Sequence, residues 1–155
     1  MRHVSIFIVM TVLVSAFLVA VGQGRAAGDK VTFPESYADS VHYTTVHRGG
    51  IREVMFVSRE AIEAVKKGLP IPSGTVITLV DYRDGEIYRY VVMEKRTGWG
   101  TEYPPELRNG EWEFQAFNAD KSVNSGENLQ RCFSCHKSQA ANDFVFTLDD
   151  MKRAN

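Results

Sequence analysis

Apolar and polar residues follow two different periods along this chain, and the changes of period mark its elements. Residues 28–36 are a lead-in segment with turn signals at Phe33-Pro34 and Ser36. Tyr37 to Val46 fits a strand, or a short helix followed by a strand. Arg48-Gly49-Gly50 is a turn, and Glu53-Val54-Met55-Phe56-Val57 is a β-rich run. Ala61, Ile62 and Val65 then recur at helical spacing, predicting a helix over Arg59 to Lys67. Ser58 is its expected cap, Glu60 and Lys66-Lys67 suit its two ends, and Gly68 stops it.

Pro70 and Pro72 interrupt regular structure as far as Gly74. Thr75 to Tyr82 and Glu86 to Lys95 flank Arg83-Asp84-Gly85, the pattern of an antiparallel hairpin. A loop with Gly98, Gly100, Pro104, Pro105 and Asn109-Gly110 follows. Glu111 to Phe117 alternates, with Trp112, Phe114 and Ala116 on one face. Asn118 to Asn128 reads as loop and Leu129 to Lys137 as helix. Phe144-Val145-Phe146 reads as a final strand or extended piece, and Thr147 with Asp150 resembles a capping box for a terminal helix. The expected class is α+β and mainly β: one large antiparallel sheet with a few short helices.

The N-terminus changes the picture of the compartment. Met1-Arg2-His3 precedes an uncharged apolar run from Val4 to Gly22, and Gly24-Arg25-Ala26 resembles a cleavage site. Together they describe a secretory signal peptide over residues 1–26, leaving one domain over residues 27–155. An uncleaved anchor is the alternative, because the run is near the length that spans a bilayer. Either way the remaining chain is expected outside the cytoplasm, in the periplasm if cleaved.

The full chain has 155 residues and a formal charge of −1. Without Arg2 and Arg25 the remainder has 16 basic and 19 acidic residues, a net charge of −3. Its basic residues are scattered, so no nucleic-acid footprint is visible. Two cysteines exclude a disulfide-dense scaffold.

Both cysteines stand in Cys132-Phe133-Ser134-Cys135-His136, the C-x-x-C-H pattern of covalent haem attachment. Two thiols about one helical turn apart can form thioethers with the two vinyl groups of one haem. The imidazole of the following residue then serves the iron as proximal ligand. The competing readings are a thioredoxin-type disulfide, which wants a βαβ context, a zinc site, which wants about four ligands, and an incidental pair.

No sixth ligand stands out. Met151 falls in the terminal helix, and Met55 and Met93 sit in apolar strand patterns that suit core packing. His47 is expected in solvent beside the glycines, and His42 is undecided between sheet face and pocket. The economical reading is one five-coordinate haem c with an open distal side, suited to a small diatomic or nitrogenous ligand. Glu94, Lys95 and Arg96 read as a solvated strand end, and Asp143 as a residue that fixes the segment after the haem helix by accepting backbone hydrogen bonds.

These blocks resemble the cytochrome P-460 and cytochrome c′-β family. The resemblance rests on Cys132-x-x-Cys135-His136-Lys137, Trp112-x-Phe114-x-x-Phe117 and Asn142-Asp143-Phe144-Val145-Phe146-Thr147. The helix ending Lys66-Lys67-Gly68 and the following Gly74-Thr75-Val76 add a weaker match. The resemblance implies a periplasmic monohaem protein, commonly a homodimer, with His136 as proximal ligand of a five-coordinate haem. P-460 members oxidise hydroxylamine with a haem cross-linked to a lysine; c′-β members lack the cross-link and bind nitric oxide beneath an apolar cap. The resemblance sets Leu79 where the cross-linking lysine would stand. Leu79 and Phe56 are then candidates for an apolar distal wall, with ordinary sheet core as the alternative for both. Such a wall would disfavour dioxygen, which wants hydrogen-bond donors, more than nitric oxide. Three roles stay open: ligand binding, hydroxylamine oxidation, and plain electron transfer with a sixth Met or His ligand.

Overall fold

The computed structural model describes residues 30–105 and 108–155. The apolar N-terminal run and the expected cleavage pattern at Gly24-Arg25-Ala26 lie outside those residues. Among the described residues no helix is long and apolar enough to cross a membrane.

Five strands form one antiparallel sheet in sequence order: β1 (Val41–Arg48), β2 (Ile51–Val57), β3 (Val76–Arg83), β4 (Glu86–Lys95) and β5 (Trp112–Asn118). Each strand pairs with its sequence neighbours, as a meander requires. A short 3-10 turn over Tyr37–Asp39 precedes β1, so the helix-then-strand alternative is the one realised. The β3–β4 hairpin turns at Asp84 and Gly85, both with positive φ (50° and 88°). That pair matches the right-handed strand twist and favours an Asp-Gly sequence.

Among the described residues, three α-helices pack against one face of the sheet: α1 (Arg59–Lys66), α2 (Leu129–His136) and α3 (Leu148–Arg153). Ser58 caps α1 by accepting from the Ala61 amide at 3.2 Å. Replacing Ser58 with Ala is expected to cost about 1 kcal/mol, read as a lowered denaturation midpoint. Two expectations near the C-terminus are corrected. Phe144–Phe146 is no strand, because Phe144 has a positive φ of 61°. Thr147 makes no side-chain cap for α3; its hydroxyl meets the Tyr43 hydroxyl at 2.7 Å instead.

The sheet has a core on each face. One face carries Met55, Val57, Ile77, Met93, Trp112 and Phe114 against α1, α2 and α3. The other carries Val54, Val80, Tyr90, Val92 and Phe117 beneath the lead-in residues Val31, Phe33 and Tyr37. Alternation of side chains along each strand produces this division.

Glu113 is a buried acid in this framework, 1% exposed and cross-strand from Glu94. Burial raises its pKa above the usual carboxylate value, against the lowering effects of Tyr103 and Lys30. A carboxyl raised in the fold stabilises the fold below its unfolded pKa, and that contribution is lost as pH rises through the folded value. Glu113→Gln is therefore expected to gain thermal stability over wild type above the ordinary carboxylate range. The gain should shrink towards acid pH, as melting curves from about pH 4 to 7 would measure.

Candidate functional site

The strand register decides which side chains face α2. Met55, Leu79 and Val91 pair in one row across β2, β3 and β4. Ile77, Met93 and Phe114 form the next row across β3, β4 and β5. Five of these six are aliphatic or thioether side chains, and together they make an apolar wall.

α2 stands over that wall. Asn128 caps it by accepting from the Gln130 amide at 3.1 Å, and Phe133 anchors it edge-on to Phe114, ring centroids 4.8 Å apart. The Asn109 side chain also donates to the Phe133 carbonyl at 2.9 Å. This anchoring turns Cys132, Cys135 and His136 towards a cavity of about 500 Å³ bounded by both rows. The volume falls within the ~300–1,000 Å³ typical of ligand and cofactor sites. Tyr43 and Val46 of β1, and Val145, Phe146 and Thr147 of the C-terminal segment, complete the apolar lining.

His136 sits between two rings, 4.8 Å from Phe114 and 5.1 Å from Phe146 between centroids. Its Nδ1 lies 2.7 Å from the Phe144 carbonyl oxygen. A carbonyl can only accept, so Nδ1 carries the proton and Nε2 keeps the lone pair that a metal needs. Burial lowers the His136 pKa, and the hydrogen bond to Phe144 opposes the shift. Burial likewise pushes the Cys132 thiol up, while Cys135 is exposed.

The polar end of the cavity is a set of ion pairs. Arg48 pairs with Glu53, and Arg89 pairs with Glu127 in the segment leading to α2. Arg89 also donates to Asp81 at 3.1 Å, and Asp81 is 1% exposed. This network joins the sheet to the helix that carries the cysteines.

The sequence-derived candidates do not all converge here. Cys132, Cys135, His136 and Leu79 line the cavity. Phe56 is corrected: one residue from Met55, it points to the opposite face, 5.3 Å from Tyr37 and 5.7 Å from His42 between ring centroids. Met55 and Met93 are buried as core residues, as their strand patterns suggest, and also line the cavity, where the sixth-ligand alternative needs one of them. The Asp84-Gly85 turn alone would have set Leu79 opposite Tyr90; an irregularity at Asp81/Tyr82 shifts the register by one and brings Val91 and Met93 opposite Leu79 and Ile77. His42 is exposed and meets Thr45 at 2.8 Å, His47 is exposed, and Met151 is buried in the core. Glu94 and Lys95 are not solvated: Glu94 is 6% exposed, and the Lys95 side chain is 14% exposed and bonded to Asp143.

The cysteines are free rather than disulfide-bonded. Among the described residues no group of three or more His, Cys, Asp or Glu could hold a metal ion. A planar tetrapyrrole fits the residues present: an apolar wall on one side, two thiols at the edge, and a neutral imidazole with its lone pair on Nε2.

The comparisons with known proteins bear on the same residues. No curated protein matches the chain. The profile of the cytochrome P460 family matches residues 34–147, most of the chain, from the lead-in segment to the turn after Phe146. The match takes in the whole sheet, the cavity wall and the helix of Cys132, Cys135 and His136, and on it the chain belongs to the cytochrome P460 family of haem-binding cytochromes.

Proposed function

We propose that this protein is an exported monohaem c-type cytochrome that binds nitric oxide or a related small nitrogen species. Cys132 and Cys135 hold the haem through thioethers, and His136 Nε2 is the proximal ligand. When bound, the haem supplies an iron that takes a small ligand and exchanges one electron. The observation that carries the reading is the apolar wall of Met55, Leu79 and Val91 in the cavity that His136 lines. Such a wall offers few hydrogen-bond donors, which penalises dioxygen more than neutral nitric oxide. Titration of the reduced, haem-loaded protein with nitric oxide is expected to change its visible spectrum stoichiometrically. An unchanged spectrum sinks the proposal.

Hydroxylamine oxidation has weaker support. Among the described residues no lysine lines the cavity, and Leu79 occupies the wall where the resemblance would put a cross-linking lysine. Steady-state assays with hydroxylamine and an artificial electron acceptor are expected to give no turnover.

A second reading is electron transfer with a methionine as sixth ligand, favoured by the presence of Met55 and Met93 in the cavity. The Met55 sulfur already accepts from the Tyr43 hydroxyl at 3.6 Å, so Met93 is the stronger candidate of the two. Replacing each methionine with Ala is expected to leave the ferric and ferrous spectra unchanged. A low-spin spectrum that becomes high-spin in either variant would establish electron transfer instead. Export to the periplasm and a homodimer complete the proposal; the mass of the mature chain and sedimentation equilibrium test them.

A further inference from the structure

After the helix of His136 and a 3-10 segment over Lys137–Asn142, two consecutive residues with side chains take the left-handed conformation, Asp143 (φ 51°) and Phe144 (φ 61°). Crowding of Cβ against the backbone disfavours this for L residues, and Phe has none of the local hydrogen bonding that helps Asp. Such a turn persists where its surroundings hold it. Here the hold is visible. Asp143 Oδ2 accepts from Lys95 Nζ at 2.6 Å, and Oδ1 accepts from Trp112 Nε1 at 3.4 Å. The Phe144 amide donates to the Gln139 carbonyl at 2.8 Å. The Phe144 ring lies so close to Gly110 that a Cβ there would come within 2.9 Å of it.

The outcome of the turn is one contact: the Phe144 carbonyl, one residue beyond Asp143, takes the Nδ1 proton of His136 at 2.7 Å. We propose that Asp143, clamped by Lys95 and Trp112, is a positioning residue that holds this carbonyl on His136 and so sets the orientation and basicity of the imidazole. The inference rests on the reading of His136 as the iron's proximal ligand. Asp143 touches no reacting group; it acts through the backbone of Phe144. The two anchors lie at the end of β4 and the start of β5, where Lys95 and Trp112 are cross-strand partners, so the sheet itself fixes the ligand. A hydrogen bond from Nδ1–H makes the other nitrogen a stronger donor to metal, which favours the ferric state.

The test uses the haem-loaded protein in wild-type form and as Asp143→Gly, Lys95→Gln and Asp143→Asn. Glycine adopts the left-handed turn without strain but cannot bind Lys95 or Trp112. Lys95→Gln removes the charged anchor and leaves the turn sequence intact, so it serves if the glycine variant folds poorly. The readouts are the iron–imidazole stretching frequency of the reduced protein by resonance Raman and the ferric/ferrous reduction potential. In Asp143→Gly and Lys95→Gln the stretch is expected to fall and the potential to rise. Asp143→Asn keeps an oxygen acceptor and is expected to stay nearer wild type. Lower melting temperatures with both readouts unmoved would reduce Asp143 to a structural tie and overturn the proposal. Absence of an iron–imidazole band in the wild type would overturn it through the ligand reading instead.

Discussion

In a denaturing gel stained for haem, the wild-type chain matured with haem is expected to keep its cofactor, and the Cys132→Ala, Cys135→Ala double variant to lose it. The physical basis is covalency. A haem held by packing and one iron–nitrogen bond leaves when the cavity unfolds, whereas a thioether does not depend on the fold. Both thiols line the cavity and are free to react. They are not equivalent: Cys132 is partly enclosed, with its pKa raised first by burial and then by Glu127, and Cys135 is exposed. Single variants are therefore expected to keep one linkage and retain haem on the gel, with an altered spectrum. His136→Ala separates the roles: the haem should stay on the gel, but the iron–imidazole band should vanish. Loss of haem from the denatured wild-type chain would remove the c-type assignment and leave a non-covalent haem protein.

Phe114→Ala is expected to lower stability by about 3–5 kcal/mol, the range for removing a buried aromatic ring. For a chain of this size that is a fall in melting temperature on the order of 10 °C. Phe114 is 1% exposed and touches both Phe133, which anchors α2, and the His136 ring. Its removal should therefore also disturb the proximal imidazole and shift the visible spectrum. Phe117→Ala is the control. Phe117 is 2% exposed but belongs to the core on the other face, with Phe33 5.3 Å away between ring centroids. It is expected to cost similar stability and leave the spectrum unchanged. If both variants shift the spectrum equally, the division of the sheet into a cofactor face and a structural face is wrong.

The contrast between these two residues also measures how far the sequence could be read. The strands, the Ser58 cap and the Asp84-Gly85 hairpin were legible because each depends on neighbours a few residues apart. Cys132, Cys135 and His136 were legible as candidates for the same reason. Phe56 was misplaced by one residue of strand phase: Met55, not Phe56, faces the cavity, and two apolar neighbours in a strand give no local sign of which turns inward. Thr147 looked like a helix cap, but its hydroxyl found Tyr43, 104 residues earlier in the chain. Asp143 does fix the segment after α2, but through Lys95 of β4 and Trp112 of β5 and not through adjacent backbone, and no local pattern names such distant partners.

By itself, then, the sequence determined the five strands, the main helices and the presence of one candidate motif, all set by periodicity, turn residues and short spacing. Tertiary structure decided which sheet face meets α2, that Leu79 stands beside Met55 and Val91, that methionines share the cavity, and what holds the His136 ring. Those depend on strand register and on contacts between distant segments. A one-residue change of register moves every side chain of a strand to the other face, while the composition stays the same.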